Sequence, residues 1–392
     1  MGLKLFRTAA PAVEEAKASA AAAVVELHRT GRAAWSARDT ASLTRVGFLQ
    51  NPVGFRCVKL IAEAAAAVPV IVQDDERRYE THPLLELLEQ PNPGQGRGAL
   101  FEALFGQLVL TGDGYLEAAG ESTLGLPQEL HVLRSDRMAV VPGKDGWPVA
   151  YEYKVGAAKH RFDMRVDLPP ILHVRNFHPQ DDHYGLSPML AAAASIDVHN
   201  AAANWSKALL DNAARPSGAI VYQGADGHGQ LGSDQYARLR DELETNHQGA
   251  RNAGRPMLLE GGRDWKPMGV SPSDMEFHKT KDAAAREIAL AFGVPPMLLG
   301  LPGDNAYANY QEANRAFYRL TILPRVAKTL AAVNGWLPMR YAPGLSVRVE
   351  LDNVTALATE REAQWRRVSQ ADFLSQDEKR AMLGLPPLTG DA

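Results

Sequence analysis

"SPMLAAAASIDVHNAAANWSKALLDNAA", Ser187 to Ala214, opens with the same two residues as "SPSDMEFHKTKDAAAREIALAFG", Ser271 to Gly293. In each, the serine suits an N-cap, because its hydroxyl accepts from backbone N–H groups that a helix start leaves unpaired. The proline suits the first helical position, where its missing N–H costs nothing. Asp274 stands where the helix dipole favours negative charge, and Gly293 can close the second helix in a left-handed C-cap. The stretches predict helices of about 26 and about 22 residues, the first roughly 39 Å long at 1.5 Å per residue. Between them, "RPSGAIVYQG", "RPMLLEGG" and "WKPMGV" read as strands and "SDQYARLRDELETNH" as a helix. The pattern is a stalk of two long helices carrying a small α/β head.

After the second helix comes "FGVPPMLLGLPGDNAYANYQEANRAFYR", Phe292 to Arg319, with prolines and glycines that no helix would tolerate together. A third long helix leaves this stretch at about Asn309 and runs to Asn334, kinked at Pro324. The chain closes with the strand "LSVRVELDN", the charged helix "TEREAQWRRVSQ" and a short helix opened by a capping box, Ser375 and Glu378, and stopped by Gly384. Upstream, residues 1–45 are alanine-rich and read as a loose or partly disordered arm. In "PVGFRCVKLIAEAAAAV" Phe55, Val58, Ile61, Ala62 and Ala65 recur at helical spacing. "VPVIVQDD" reads as a strand, "HPLLELLEQ" as a short helix, and "RGALFEALFGQLVLTGDGYLEAAG" as helix, turn and strand. From there to Asn176 the text is β-like, with a hairpin at "GKDGW". The first 180 or so residues are a mixed α+β region.

The chain has 392 residues, room for two or three domains, and a net charge of −4, which offers no global attraction for nucleic acid. Cys57 is the single cysteine, which rules out a disulfide or a cysteine-ligated zinc site within one subunit and reads as a core residue of a cytoplasmic protein. "MGLKLFRTAA" lacks the apolar core of a signal peptide, and the uncharged run Ile288 to Gly303 is too broken to span a membrane.

Phosphate-cradling loops, nucleophile elbows and HExxH motifs are absent from the sequence. "FHPQDDHYG" places His178, Asp181, Asp182 and His183 in one loop, a set able to hold a metal for a hydrolase; a polar surface turn accounts for it equally. Trp205 is either a partner anchor or helix packing. Asp274, Glu276, Lys279, Lys281, Asp282, Arg286 and Glu287 are either a solvated face or one that pairs across a subunit interface. Arg366 and Arg367 beside Trp365 would suit nucleic acid, but Glu360 and Glu362 make a solvated helix the simpler reading. Val294 to Asn314 contains no Lys, Arg or His, only Asp304 and Glu312, so an anionic substrate finds no partner there. On residues alone this stretch is a connector, and a helical scaffold or adaptor without a channel fits the pattern.

Eight segments, "NPVGFRCVKLIAEAAAAVPV", "HPLLELLEQPNP", "YGLSPM", "NAARPSGAI", "GRPMLLEGG", "WKPMGVSPSDMEF", "AFGVPPMLLG" and "SQDEKRAMLGLPPL", resemble in that order the portal proteins of tailed double-stranded DNA phages. The resemblance covers roughly residues 45–392, and the short chain is also similar to the portals of phage-like gene transfer agents. It implies an α+β portal fold: wing 46–186, stem helices 187–214 and 271–293, a small α/β clip 215–270, a tunnel loop 294–309, a long kinked helix returning to the wing 310–367, and a reduced crown 368–392. It implies a non-enzymatic ring, usually of twelve subunits, assembled in the bacterial cytoplasm and seated at one capsid vertex. DNA passes through without sequence specificity, and the major capsid protein, terminase large subunit and head–tail adaptor are partners; no cofactor is implied. By the same resemblance Pro302, Gly303, Asp304, Asn305, Ala306, Tyr307, Ala308 and Asn309 line the channel. Trp205, Lys207, Asp274, Glu276, Lys279, Lys281 and Arg286 serve the stem interface. Arg215, Tyr222, Gln223, Arg238, Arg240 and Glu242 serve docking on the clip.

Overall fold

The first described helices start where the sequence supplies caps. In the computed structural model, which describes residues 35–122, 125–211, 218–222, 263–267, 277–301 and 307–388 and single positions 234, 237, 238 and 241, Asp39 caps α1 (Thr40–Thr44). The chain divides into two units, Met1–Trp35 and Ser36–Ala392, and all described residues except Trp35 belong to the second. A π-helical turn, Arg45–Leu49, leads into α2 (Pro52–Ala66), where Asn51 accepts from Gly54 N and Pro52 opens the helix. Cys57, Val58, Ile61, Ala62 and Ala65 form its buried stripe. A fully buried aliphatic side chain of this size contributes about 1.5–3 kcal/mol. Phe55, expected on that stripe, is off it: six residues at 100° each turn it about 120° away from Ile61. It is 45% exposed and packs against Phe48 at 5.0 Å instead. Burial pushes the Cys57 thiol up to about 12, so it stays protonated in the core.

After α2 come β1 (Val70–Gln73), β2 (Arg78–Tyr79), α3 (Pro83–Glu89), α4 (Arg97–Thr111), β3 (Asp113–Glu121), β4 (Pro127–Leu133), β5 (Met138–Pro142), β6 (Pro148–Val155), β7 (Ala158–Asp163) and β8 (Ile171–Arg175). They form two antiparallel three-stranded sheets, β4-β3-β8 and β5-β6-β7. Strand β7, "AKHRFD", lies within the stretch read as β-like but was not singled out as a strand. It is an edge strand with almost every residue exposed, so it carries no alternating apolar signal.

The predicted single helix from Ser187 is two, α5 (Pro188–Ala191) and α6 (Ala193–Asp211), separated by Ala192, whose N–H bonds back to Pro188 O and Leu190 O. The Ser187 hydroxyl both accepts from Met189 N and donates to Leu110 O at 2.8 Å, which fastens the first turn to the end of α4. Strand β9 (Gly218–Tyr222) pairs antiparallel with β10 (Arg263–Pro267), and α7 (Phe277–Phe292) follows. The expected strand "RPMLLEGG" and the cap at Ser271 lie outside the described residues. Then come α8 (Tyr307–Phe317), a π-helical turn at Tyr318–Ile322, α9 (Leu323–Asn334), β11 (Ser346–Val349), α10 (Ala358–Ser369) and α11 (Gln376–Leu383). The capping box at Ser375 and Glu378 is formed, and Gly384 is left-handed. Strand β11 returns to pair antiparallel with β1, Val70 opposite Val349, in a sheet ordered β11-β1-β2.

The β region meets the helices at a joint built from two glycines. A Cβ on Gly112 would lie 2.3 Å from Gly185 O, and one on Gly185 2.0 Å from Gly112 O, so only bare backbones fit. Gly112 also has φ +89°, the left-handed conformation that ends α4 and starts β3. Beside it the Asp113 carboxylate accepts from Gly185 N and from His173 Nε2, both at 2.8 Å. The Tyr151 hydroxyl then donates to His173 Nδ1 at 3.1 Å, and Tyr115 stacks on the imidazole at 4.2 Å. Gly185→Ala is expected to cost about 1–3 kcal/mol through overpacking. Gly106→Ala, where a Cβ meets nothing within 4 Å inside α4, is expected to gain about 0.5–1 kcal/mol. Urea unfolding midpoints of the two variants, moving in opposite directions, check this.

Candidate functional site

Helices α6 and α7 pack side by side through small residues, with Ala193, Ile196 and Ala202 buried on one and Ala284, Ala285, Ile288, Ala289 and Phe292 on the other. Small side chains let the backbones come close. Ser195 Oγ donates to Glu287 Oε2 at 2.6 Å across the pair. One turn along α6 from Ser195, His199 is 3% exposed and Asn51 Nδ2 reaches its Nδ1 at 3.2 Å and Asn200 Oδ1 at 2.9 Å. The amide is a donor, so Nδ1 accepts and the imidazole is neutral. Its pKa lies below the usual histidine value because burial penalises the charged form and the Lys281 cation opposes it.

The end of α7 is capped twice over. Gly293, at φ +71°, donates to Leu290 O at 3.0 Å and Val294 N donates to Ala289 O at 2.9 Å, a Schellman cap. Thr321 Oγ1 then donates to Gly293 O at 2.6 Å and Arg325 Nη2 to Phe292 O at 3.2 Å. The last carbonyls of the helix are thus taken by side chains from the π-helical turn and α9. A 3-10 turn, Pro296–Leu299, follows, and a second Schellman cap closes on Gly300, with Gly300 N to Met297 O and Leu301 N to Pro296 O. Pro302 to Ala306 lie outside the described residues.

The segment expected as a loop to Asn309 is helical from Tyr307, so Tyr307, Ala308 and Asn309 form the first turn of α8, with Ala308 and Asn309 exposed. Fourteen residues separate Tyr307 from Thr321, which is about 21 Å of helix at 1.5 Å per residue. The start of α8 at Tyr307 is that length of helix away from Thr321. The expected kink at Pro324 takes the form of the π-helical turn just before it. Proline has no N–H for Leu320 O, and a widened turn absorbs the lost bond. One flank of this helix, Gln311, Asn314, Arg315 and Tyr318, lines a polar cleft of about 440 Å³ together with Val68, Asn353 and Thr355.

Other residues singled out from the sequence separate into distinct environments. Asp274, Glu276, Arg215, Gln223, Arg240 and Glu242 lie outside the described residues. On α6 Trp205 is half-buried and Lys207 exposed; on α7 Lys279 and Arg286 are exposed and Lys281 half-buried. Tyr222 closes β9, and Arg238 is exposed. In the His178–His183 loop two of the four ligand types, His178 and Asp181, cap the loop's own backbone. Asp181 Oδ1 accepts from His183 N and Tyr184 N, which hold its carboxyl below the usual carboxylate range, and His178 Nδ1 accepts from Gln180 N. Among the described residues no group of three or more His, Cys, Asp or Glu is arranged to hold a metal ion. On α10, Trp365 Nε1 donates to Asp352 at 3.0 Å and Arg366 pairs with Glu362 at 2.8 Å, so these side chains are engaged within the chain. Among the described residues no helix is long and apolar enough to cross a membrane. Sequence reading missed Thr321, Arg325, Asn51 and His199, whose roles depend on partners 28 to 149 residues away.

The sequence pattern of the phage portal protein family matches residues 52–384. The chain belongs to that family. Its fold is similar to a chain in the neck of a native gene transfer agent particle of C12 symmetry, with TM-score 0.71 and 65% identity over 91% of this chain and 96% of that one. A chain in the neck of the empty particle, determined with C6 symmetry, is 67% identical, with TM-score 0.72 and the same coverage. The probable portal protein of Streptomyces phage phiC31 is 28% identical over 357 residues, 87% of this chain and 76% of its own length.

The neutral His199 gives a pH signature. The unfolded imidazole, near its ordinary 6.5, takes up a proton before the folded one does, so stability is full above that value and falls as the pH drops below it. His199→Gln, which retains an acceptor for Asn51, is expected to lose less stability than the parent between pH 7 and pH 5. Urea titrations of both proteins at the two pH values measure it.

Proposed function

We propose that this chain forms a twelve-membered ring at one vertex of a phage or phage-like capsid, through which double-stranded DNA enters and leaves. The observation that carries this reading is the 65% identity, over almost the full length of both chains, with a component of a particle neck of C12 symmetry. In this reading the α+β region 46–186 is the wing and α6 and α7 belong to the stem. The strands β9 and β10 belong to the clip, where the terminase large subunit and later the head–tail adaptor dock; the major capsid protein is a further partner. The segment from Val294 to Asn309 lines the narrowest part of the channel. Residues 368–392 form a reduced crown. The protein performs no hydrolysis itself; the packaging motor is the partner's. A metal-dependent hydrolase at the His178–His183 loop is disfavoured by family membership and by the inward capping of that loop.

The channel stretch suits passage rather than grip. A channel that bound phosphates with lysine or arginine would add salt-dependent affinity at every contact and act as a brake. Val294 to Asn314 has no basic residue. The first cation beyond it, Arg315, lies 2.8 Å from Glu312 and 3.7 Å from Glu360, and Arg319 lies 3.8 Å from the same Glu360. Asp304, Asn305, Tyr307 and Asn309 are acidic or neutral, so this segment offers a passing duplex no cation. The clamp at Gly293, with Thr321 and Arg325, holds the root of this segment.

Native mass spectrometry of the purified chain, supported by negative-stain images, tests the ring: closed particles of about a dozen subunits are expected, and a strictly monomeric or dimeric species under all assembly conditions would count against it. Asp304→Lys is expected to slow DNA release and make it more salt-dependent by about one phosphate contact. Equal packaging and release by variant and parent would remove the low-grip reading while leaving the ring intact.

A further inference from the structure

The flank of α8 and its π-helical turn opposite the polar cleft bounds a different surface. Ala316, Phe317 and Leu320 face Leu290, Pro295 and Pro296 across a groove of about 410 Å³ whose exposed walls are overwhelmingly apolar. Leu290 is 79% and Leu320 68% exposed, two large aliphatic side chains left bare side by side. Around α7 the buried residues Ala284, Ala285, Ile288, Ala289 and Phe292 occupy one stripe, packed against α2, α5 and α6. Leu290 falls on the opposite side of the same helix at 100° per residue. The groove therefore faces away from the chain's own core.

We infer that this groove is a ring interface, filled by an apolar segment of a neighbouring copy of this chain. The inference rests on the proposed ring. In a closed cyclic assembly each subunit presents two unlike, complementary flanks, so a patch bare in one copy is covered by a different patch of the next. The position fits, because the groove lies between the end of α7 and the turn that clamps it, beside the root of the channel segment. Other occupants fit less well. DNA would find aliphatic walls with only Arg286 at the rim. The chain's own Pro302 to Ala306, immediately beyond, contain no large aliphatic or aromatic side chain to fill it. A neighbour in the groove also explains the two flanks of one helix: the polar flank closes on its own chain, and the apolar flank closes on the next. In this arrangement each subunit braces the root of its neighbour's channel segment, so the segments act as one collar.

Cys57 is the single cysteine and is fully buried, so a cysteine placed at Leu290 or Leu320 is the accessible thiol. Leu290→Cys and, separately, Leu320→Cys, each labelled with benzophenone maleimide in the full-length chain, are irradiated in the ring fraction and the cross-linked peptides identified. Cross-links between chains at both positions are expected. Rings whose cross-links stay within one chain, to residues 1–34 or 302–306, would overturn the inference and leave the ring reading standing. A parent chain that forms no rings and gives no interchain cross-links overturns both. Leu320→Asp is a second variant: the ring fraction is expected to fall roughly tenfold or more, as when a buried apolar anchor is lost, while its thermal midpoint as a monomer stays at the parent value. Rings at parental abundance in Leu320→Asp would also sink the idea.

Discussion

Two glycine backbones in contact, Gly112 and Gly185, are the constraint on which the rest of this chain depends. They bring the start of β3 to the start of the α5–α6 segment with no side chain between them. Asp113 then holds both sides with one carboxylate oxygen, through Gly185 N and His173 Nε2. A buried carboxylate is tolerable only when such donors satisfy it. The paired helices and the sheets are therefore tied together at this joint.

The second fixed point is the end of α7. Its C-terminal carbonyls are claimed by backbone caps and by Thr321 and Arg325 from the helix that runs back past it. About 21 Å of helix separates this clamp from Tyr307, the first residue of α8. The missing N–H of Pro324 widens the turn that carries Thr321 and Leu320, so one imino acid shapes both the clamp and the groove beside it.

Two clusters carry residue types that enzymes use, and both serve structure. Asp113, His173 and Tyr151 are linked in the order of a catalytic relay, but Asp113 spends its carboxylate on the joint and Tyr115 covers the ring. The His178–His183 loop caps its own turn. Residue types in proximity define chemistry only when their free valences converge on a common point; here the recorded bonds run among the side chains themselves and to Gly185 N, His183 N, Tyr184 N and Gln180 N.

Caps, apolar stripes and turn residues are local, and the sequence by itself determined them: the cap at Ser187, the buried stripe of α2, the capping box at Ser375 and the left-handed Gly293 and Gly384. The order of portal-like segments was legible as well, and with it the family. The bounds of the edge strand β7, inside a stretch legible only as β-like, were not, because an exposed strand has no burial to impose alternation. Nor was the division at Ala192 or the helical state of Tyr307 to Asn309, each of which has sequence compatible with either outcome. Tertiary structure alone decided which side chains meet. The Gly112–Gly185 contact, the Thr321–Gly293 bond and the bare Leu290–Leu320 groove join residues 28 to 73 apart in the chain. Such pairings are set by how helices and sheets pack, and packing is a property of the whole core rather than of any stretch of sequence.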